Sequence, residues 1–179
     1  CEDTFKPRRL KEIMLARELA TEENVDEKLA NVKYFYTPNT EQLLGTVDSL
    51  SKLMLEIHPR IVILDGAIGQ FREEYLGRGT LSERQNQIAR LMTHIKNISF
   101  YFRCVVLFTN QVQSDPSVMF GDPVKPIGGN IVAHASTYRV YLKKSGKKRI
   151  ARMIDSPEHE QKDAAYQLTV KGIEDAEKA

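Results

Sequence analysis

The sequence predicts an α/β fold, with a largely parallel central sheet flanked by helices and antiparallel strands at its C-terminal edge. Three observations predict it. Apolar residues recur at helical spacing in several segments. Two short, uninterrupted aliphatic runs, Ile61-Val62-Ile63-Leu64 and Val105-Val106-Leu107-Phe108, read as strands buried on both faces. After Thr137 the pattern changes to apolar–polar alternation broken by a turn at Ser145-Gly146, as in an antiparallel meander.

Taken in order, Pro7 followed by Arg8, Leu10, Ile13, Met14 and Leu19 predicts a helix, and the acidic stretch Glu22, Glu23, Asp26 and Glu27 a polar connector. Asn31–Tyr36 is β-branched and aromatic and ends before Pro38, which predicts a short strand. Leu43, Leu44, Val47, Leu50, Leu53, Met54 and Ile57 form one stripe of a second helix. The first aliphatic run closes on Asp65. A loop at Gly77-Arg78-Gly79 leads into a helix from about Ser82, with Ile88, Leu91, Met92, Ile95 and Ile98 on its buried face. The second run ends at the polar pair Asn110-Gln111. Gln111–Gly129 has no periodicity and holds three prolines and three glycines, so it predicts a long loop. Tyr138–Leu142, Arg149–Ile154 and Tyr166–Val170 supply the antiparallel strands.

The 179 residues, 41% hydrophobic, suffice for one domain with its own core. A net charge of +2 does not by itself indicate a nucleic-acid partner, so any basic surface must be local. Cys1 and Cys104 stand far apart with no CxxC spacing, which argues against zinc and for a reducing, intracellular setting. No apolar run approaches the roughly 20 residues of a membrane span, so a soluble protein with no membrane partner is expected. A first residue of Cys1 rather than methionine fits trimming, excision from a longer chain, or the start of a segment left by a spliced intein.

In open α/β sheets ligands sit beyond the carboxyl ends of parallel strands, which selects Asp65 and Asn110-Gln111. A carboxylate after four buried aliphatics suits Mg²⁺ beside nucleotide phosphates. An Asp capping the next turn fits the same residue. Glu2, in Cys1-Glu2-Asp3-Thr4-Phe5, reads either as a functional carboxylate or as a solvated acidic terminus. Arg72 and Arg78, with Tyr75 between them and glycines beside Arg78, offer forked donors on a yielding backbone, as phosphate recognition needs. A plain solvated loop fits them too. Val118, Met119 and Phe120 are apolar in a loop, and so either pack locally or meet a partner.

In combination these motifs are more specific. The stretch from Phe71 through Arg72-Glu73-Glu74-Tyr75-Leu76-Gly77-Arg78-Gly79, then Leu81 and Glu83-Arg84-Gln85, resembles the first DNA-binding loop and following helix of the RecA/RadA family of strand-exchange recombinases. Thr109-Asn110-Gln111-Val112, Phe120-Gly121-Asp122-Pro123, Pro126-Ile127-Gly128-Gly129, Ala133-His134 and Arg139 resemble its second loop and flanks. Asp155-Ser156-Pro157 and Lys171-Gly172-Ile173-Glu174-Asp175 resemble its C-terminal signatures. The resemblance covers nearly the whole chain and implies that residues 1–179 are part of a RecA-type ATPase core. It further implies helical filaments on single- and double-stranded DNA, with ATP and Mg²⁺ held between subunits, in the cytoplasm beside the nucleoid, or in the nucleus if eukaryotic.

Roles follow by position. The resemblance implies that Glu2 activates the attacking water, Asp65 holds Mg²⁺, Asn110 belongs to the nucleotide site, and Gln111 senses the γ-phosphate. It sets His134 near the subunit interface, where it responds to the neighbour's nucleotide, and Asp155 and Pro157 in the segment that caps a neighbour's ATP. Arg72, Tyr75 and Arg78 would grip the DNA backbone, while Val118, Met119 and Phe120 would separate base steps. Departures are also visible. No G-x-x-x-x-G-K-[ST] loop occurs in these residues; in the family it lies upstream of the Glu2 position. Phe35 and Thr37 stand where the family offers small alanines to a neighbour, Gly66 where serine is usual, Asp115 where arginine is frequent and Glu160 where proline is usual. Two functions therefore compete: an ATP-dependent recombinase, and a non-catalytic paralogue or regulator that binds DNA or another recombinase.

Overall fold

The computed structural model describes residues 3–77, 79–114, 124–146 and 148–176. Glu2, Arg78, Val118, Met119 and Phe120, as well as Asp115, lie outside the described residues. In chain order the elements are α1 (Pro7–Ala16), α2 (Val25–Leu29), α3 (Thr40–Ile57), β1 (Ile61–Leu64), α4 (Ala67–Glu74), α5 (Leu81–Phe102), β2 (Val105–Phe108), β3 (Val112–Ser114), β4 (Val124–Pro126) and α6 (Gly129–Ala135), then β5 (Arg139–Ser145), β6 (Lys148–Asp155), β7 (Asp163–Thr169) and β8 (Gly172–Asp175). They form two compact units: Cys1–Asp3 with Tyr36–Ser136, and Thr4–Phe35 with Thr137–Ala179. No described helix is long and apolar enough to cross a membrane.

The first unit is built on the two amphipathic helices that the periodicity predicts. Asn39 starts α3 by accepting the Gln42 N–H at 2.8 Å. The Glu74 carboxylate at the end of α4 accepts the Thr40 N–H at 2.9 Å and also the Thr40 hydroxyl. Leu43, Leu44, Val47 and Met54 of α3 are buried, as are Ile88, Leu91, Met92, Ile95 and Ile98 of α5. With Ile68 and Phe71 of α4 they form one hydrophobic core. Each fully buried aliphatic or aromatic side chain there contributes about 1.5–3 kcal/mol. Helix α4 is too short to announce itself in the apolar pattern, and Arg72 is expected in a loop. Arg72 instead lies in the last turn of α4, because Ile68 and Phe71 at helical spacing anchor that segment to the core.

Strands β1 and β2 pair in parallel, Ile61 with Val105 through Leu64 with Phe108. Burial on both faces is not observed. Leu64, Val62, Val106 and Phe108 pack with the helices, whereas Ile61, Ile63, Val105 and Leu107 remain 48%, 60%, 61% and 46% exposed. The core helices pack against one face of the pair, and among the described residues nothing covers the other.

Gln111–Gly129 is likewise not a loop throughout. Val112, Gln113 and Ser114 pair antiparallel with Pro126, Lys125 and Val124, and Gly129 opens α6. Extended backbone with a partner in register forms a ladder without any apolar periodicity to announce it.

In the second unit, β5–β8 form the expected antiparallel meander, extended by β8. The polar connector after α1 contains α2, seated by fully buried Val25. The strand predicted over Asn31–Tyr36 does not form. Residues 32–38 have no secondary structure, for want of a ladder partner among the described residues, although the Tyr34 ring stacks on Phe5 at 5.2 Å. Helix α1 is tied to the β7–β8 turn by arginines. Arg9 donates to the Thr169 and Val170 carbonyls, and Arg17 to Lys171 and Ile173, both at 2.6 Å. At Gly172, φ is +89°, and a Cβ would meet Ile13 at 3.4 Å.

Candidate functional site

Parallel pairing brings the ends of β1 and β2 side by side, and the Thr109 N–H donates to the Leu64 carbonyl at 3.0 Å. Asp65 and Thr109 therefore emerge together. The Thr109 hydroxyl donates to Asp65 Oδ1 at 2.6 Å and accepts the Gly66 N–H at 2.7 Å. Gly66 adopts a left-handed conformation (φ 72°) as it enters α4, which glycine reaches without steric cost. Asp65 is exposed and accessible to a ligand.

Asn110 and Gln111 secure the next segment. Asn110 Nδ2 donates to the Ile127 carbonyl at 2.7 Å, while the Ile127 N–H donates back to the Gln111 carbonyl at 3.0 Å. Among the described residues, Asn110 Oδ1 is buried without a partner. The Gln111 side chain reaches toward the first turn of α4, where a Cβ on Gly69 would lie 4.0 Å from Gln111 Nε2. A Cβ on Gly128 (φ +87°) would strike Val132 and come within 3.3 Å of Ile68. The β3–β4 base is thus bolted to the strand end that carries Thr109, and to α4.

The candidate DNA residues separate. Arg72 is exposed on α4. Tyr75 is half-buried and stacks on Phe71 at 6.5 Å between ring centres, so it anchors the following turn to the core. The Thr80 hydroxyl donates to the Leu76 carbonyl at 2.8 Å, and Leu76 is exposed. His134 is exposed on the last turn of α6.

In the second unit, Arg139 donates to Asp155 Oδ2 at 2.8 Å and 3.3 Å. Exposed Pro157 follows Ser156, whose hydroxyl accepts the N–H groups of Glu158 and His159 at 3.2 Å and 2.9 Å. Tyr138 donates to Glu158 at 3.2 Å, and that carboxylate's charge raises the tyrosine pKa. The Arg152 guanidinium hydrogen-bonded to Asp163 holds its carboxyl below the ordinary value.

Two residues escape sequence reading. Glu74 caps α3, and Thr109 holds Asp65. The signal for Thr109 was available: aligning the two aliphatic runs in parallel register sets a hydroxyl beside the carboxylate.

The donor set fits the Mg²⁺ that the family resemblance implies. Its groups are oxygens, which suit a hard cation, and Mg²⁺ characteristically takes one or two carboxylates with substrate phosphates and water. Among the described residues, no three His, Cys, Asp or Glu side chains gather into a metal cage.

The chain is 40% identical over 177 residues to the DNA repair and recombination protein RadA of Cenarchaeum symbiosum (strain A), covering 98% of this chain and 44% of that protein. It is 39% identical over 184 residues to the protein of the same name from Methanocorpusculum labreanum, covering 96% and 56% respectively. The chain spans about half the length of these relatives. A family model described as Rad51 matches residues 1–176, and the chain belongs to that family, with the RecA-type α/β core that it implies.

Proposed function

We propose that this chain is the larger, C-terminal part of the ATPase core of a DNA recombinase, acting in recombination and repair. The intact protein binds ATP, forms helical filaments on single-stranded DNA, and promotes homologous pairing and strand exchange with duplex DNA. The observation that carries this reading is the junction at the ends of β1 and β2, where Asp65, Thr109 and Gln111 meet the start of α4. Asp65 would hold Mg²⁺, which supplies charge neutralisation at the nucleotide phosphates. The Gln111 amide donates to a terminal phosphate oxygen, and its backbone link to Ile127 passes that contact to the β3–β4 ribbon. Glu2 orients and deprotonates the attacking water. Asn110 fixes the ribbon base, while His134, Asp155 and Pro157 face a neighbouring subunit's nucleotide. Arg72 and Arg78 bind phosphates, Tyr75 braces their loop, and Val118, Met119 and Phe120 enter between bases.

Asp65→Ala in the intact protein should lower DNA-stimulated ATP hydrolysis by roughly a hundredfold or more. Turnover at the normal rate would sink the assignment. A regulator without catalysis is the second reading, favoured by Phe35, which is 51% exposed where small residues are expected to receive a neighbour. Electron microscopy with ATP and single-stranded DNA separates the two: long filaments of the intact protein exclude the regulator.

A further inference from the structure

We propose that Thr109 is a positioning residue for the Asp65 carboxylate, holding it ready for the cation; this rests on the reading of Asp65 given above. The hydroxyl has one proton to give. It accepts the Gly66 N–H at 2.7 Å, which turns that proton away from the amide and onto Asp65 Oδ1 at 2.6 Å. The donor order is therefore fixed by backbone. Thr109 is itself held, because its N–H is bonded to the Leu64 carbonyl and its β-branched side chain has few rotamers. Left-handed Gly66 aims its N–H at the hydroxyl.

A carboxylate at the end of β1 is thus oriented by a side chain at the end of the neighbouring strand. Hydrogen bonds of this kind to a metal-binding carboxylate fix its orientation before the ion arrives, and losing one typically weakens metal affinity about 10–100-fold. Thr109 also directly precedes Asn110 and Gln111, so one strand end sets both the cation's ligand and the base of the ribbon.

The test uses the intact protein with a non-hydrolysable ATP analogue, and Mn²⁺ binding read by electron paramagnetic resonance. Alongside it runs the Mg²⁺ concentration giving half-maximal ATP turnover. Thr109→Val keeps the shape and removes the hydroxyl, Thr109→Ser keeps the hydroxyl, and Asp65→Asn tests the underlying reading. We expect Thr109→Val to weaken Mn²⁺ binding about tenfold and raise the Mg²⁺ requirement to match, with Thr109→Ser within about twofold of the parent. Excess Mg²⁺ should then restore most turnover to Thr109→Val. Unchanged Mn²⁺ affinity in Thr109→Val, with affinity lost in Asp65→Asn, overturns the role of Thr109 and leaves that of Asp65 standing. Unchanged affinity in Asp65→Asn overturns the reading of Asp65 itself. If Thr109→Val does not give a native circular dichroism spectrum, Thr109→Ala replaces it, and the same comparison with Thr109→Ser decides.

Discussion

At Gly66 the backbone turns left-handed, φ 72° and ψ 20°, directly after the carboxylate on which the site depends. Only glycine adopts that conformation without Cβ strain, and an L side chain there costs about 1–2 kcal/mol. Gly66→Ala should therefore lower unfolding free energy by that amount in urea titration, and an unchanged midpoint would show that the turn is not left-handed in solution. Asp65 was legible from the residues before it, since four aliphatics followed by Asp mark a strand end in an α/β sheet. Thr109 becomes legible only once the two aliphatic runs are aligned in parallel register, because its importance comes from pairing with a strand 44 residues away. Asn110 was legible as a strand-end polar residue, but its contact was not: its amide serves the Ile127 carbonyl, a bond that depends on the β3–β4 register. Tyr75 was legible as a residue between two arginines, but its packing was not. Its ring lies against Phe71, which only the helical path of α4 makes possible.

Elements were legible where burial imposes a period. The stripes of α3 and α5 emerge as read, because a helix packed on a core must repeat its apolar side at three and four residues. Short α4 shows no such period, since its eight residues carry only two large apolar anchors, Ile68 and Phe71. The strand read over Asn31–Tyr36 failed for the converse reason. β-branched and aromatic composition describes a surface that suits a sheet, but a strand also requires a partner. Helix ends bring a further prediction. Helix α3 stops at His58, held left-handed at φ 44°, where its N–H donates to the Met54 carbonyl at 3.0 Å. Glycine at that position relieves the Cβ penalty and keeps the bond. His58→Gly should raise stability by about 0.5–1 kcal/mol, seen as a higher urea midpoint at unchanged slope. A lower midpoint would mean that the histidine side chain contributes more than its backbone strain costs.

The whole molecule depends on contacts that no local pattern announces. Thr4–Phe35 joins Thr137–Ala179 in one unit because Arg9 and Arg17 of α1 satisfy carbonyls of the β7–β8 turn, across as many as 161 residues of sequence. The aliphatic runs announce strands, and their uniformity announces two covered faces, whereas among the described residues nothing covers one face of the β1–β2 pair. Register makes that open face continuous: Ile61 lies opposite Val105 and Ile63 opposite Leu107, and all four are exposed. A contiguous apolar surface of this kind binds hydrophobic dyes and promotes association. The 179-residue chain, if isolated with native circular dichroism, should therefore enhance anilinonaphthalene sulfonate fluorescence while retaining a cooperative urea transition. Ile63→Lys combined with Leu107→Glu places opposite charges on directly paired positions, where they support each other across the strands. That double variant should lose most of the dye signal, and because both sites are exposed its stability should change by no more than about 1 kcal/mol. Undiminished fluorescence in the variant would locate the dye elsewhere and remove the open sheet face as its cause. A large loss of stability would instead show that the face is packed in solution, with Ile63 and Leu107 in the doubly covered sheet that their sequence suggests.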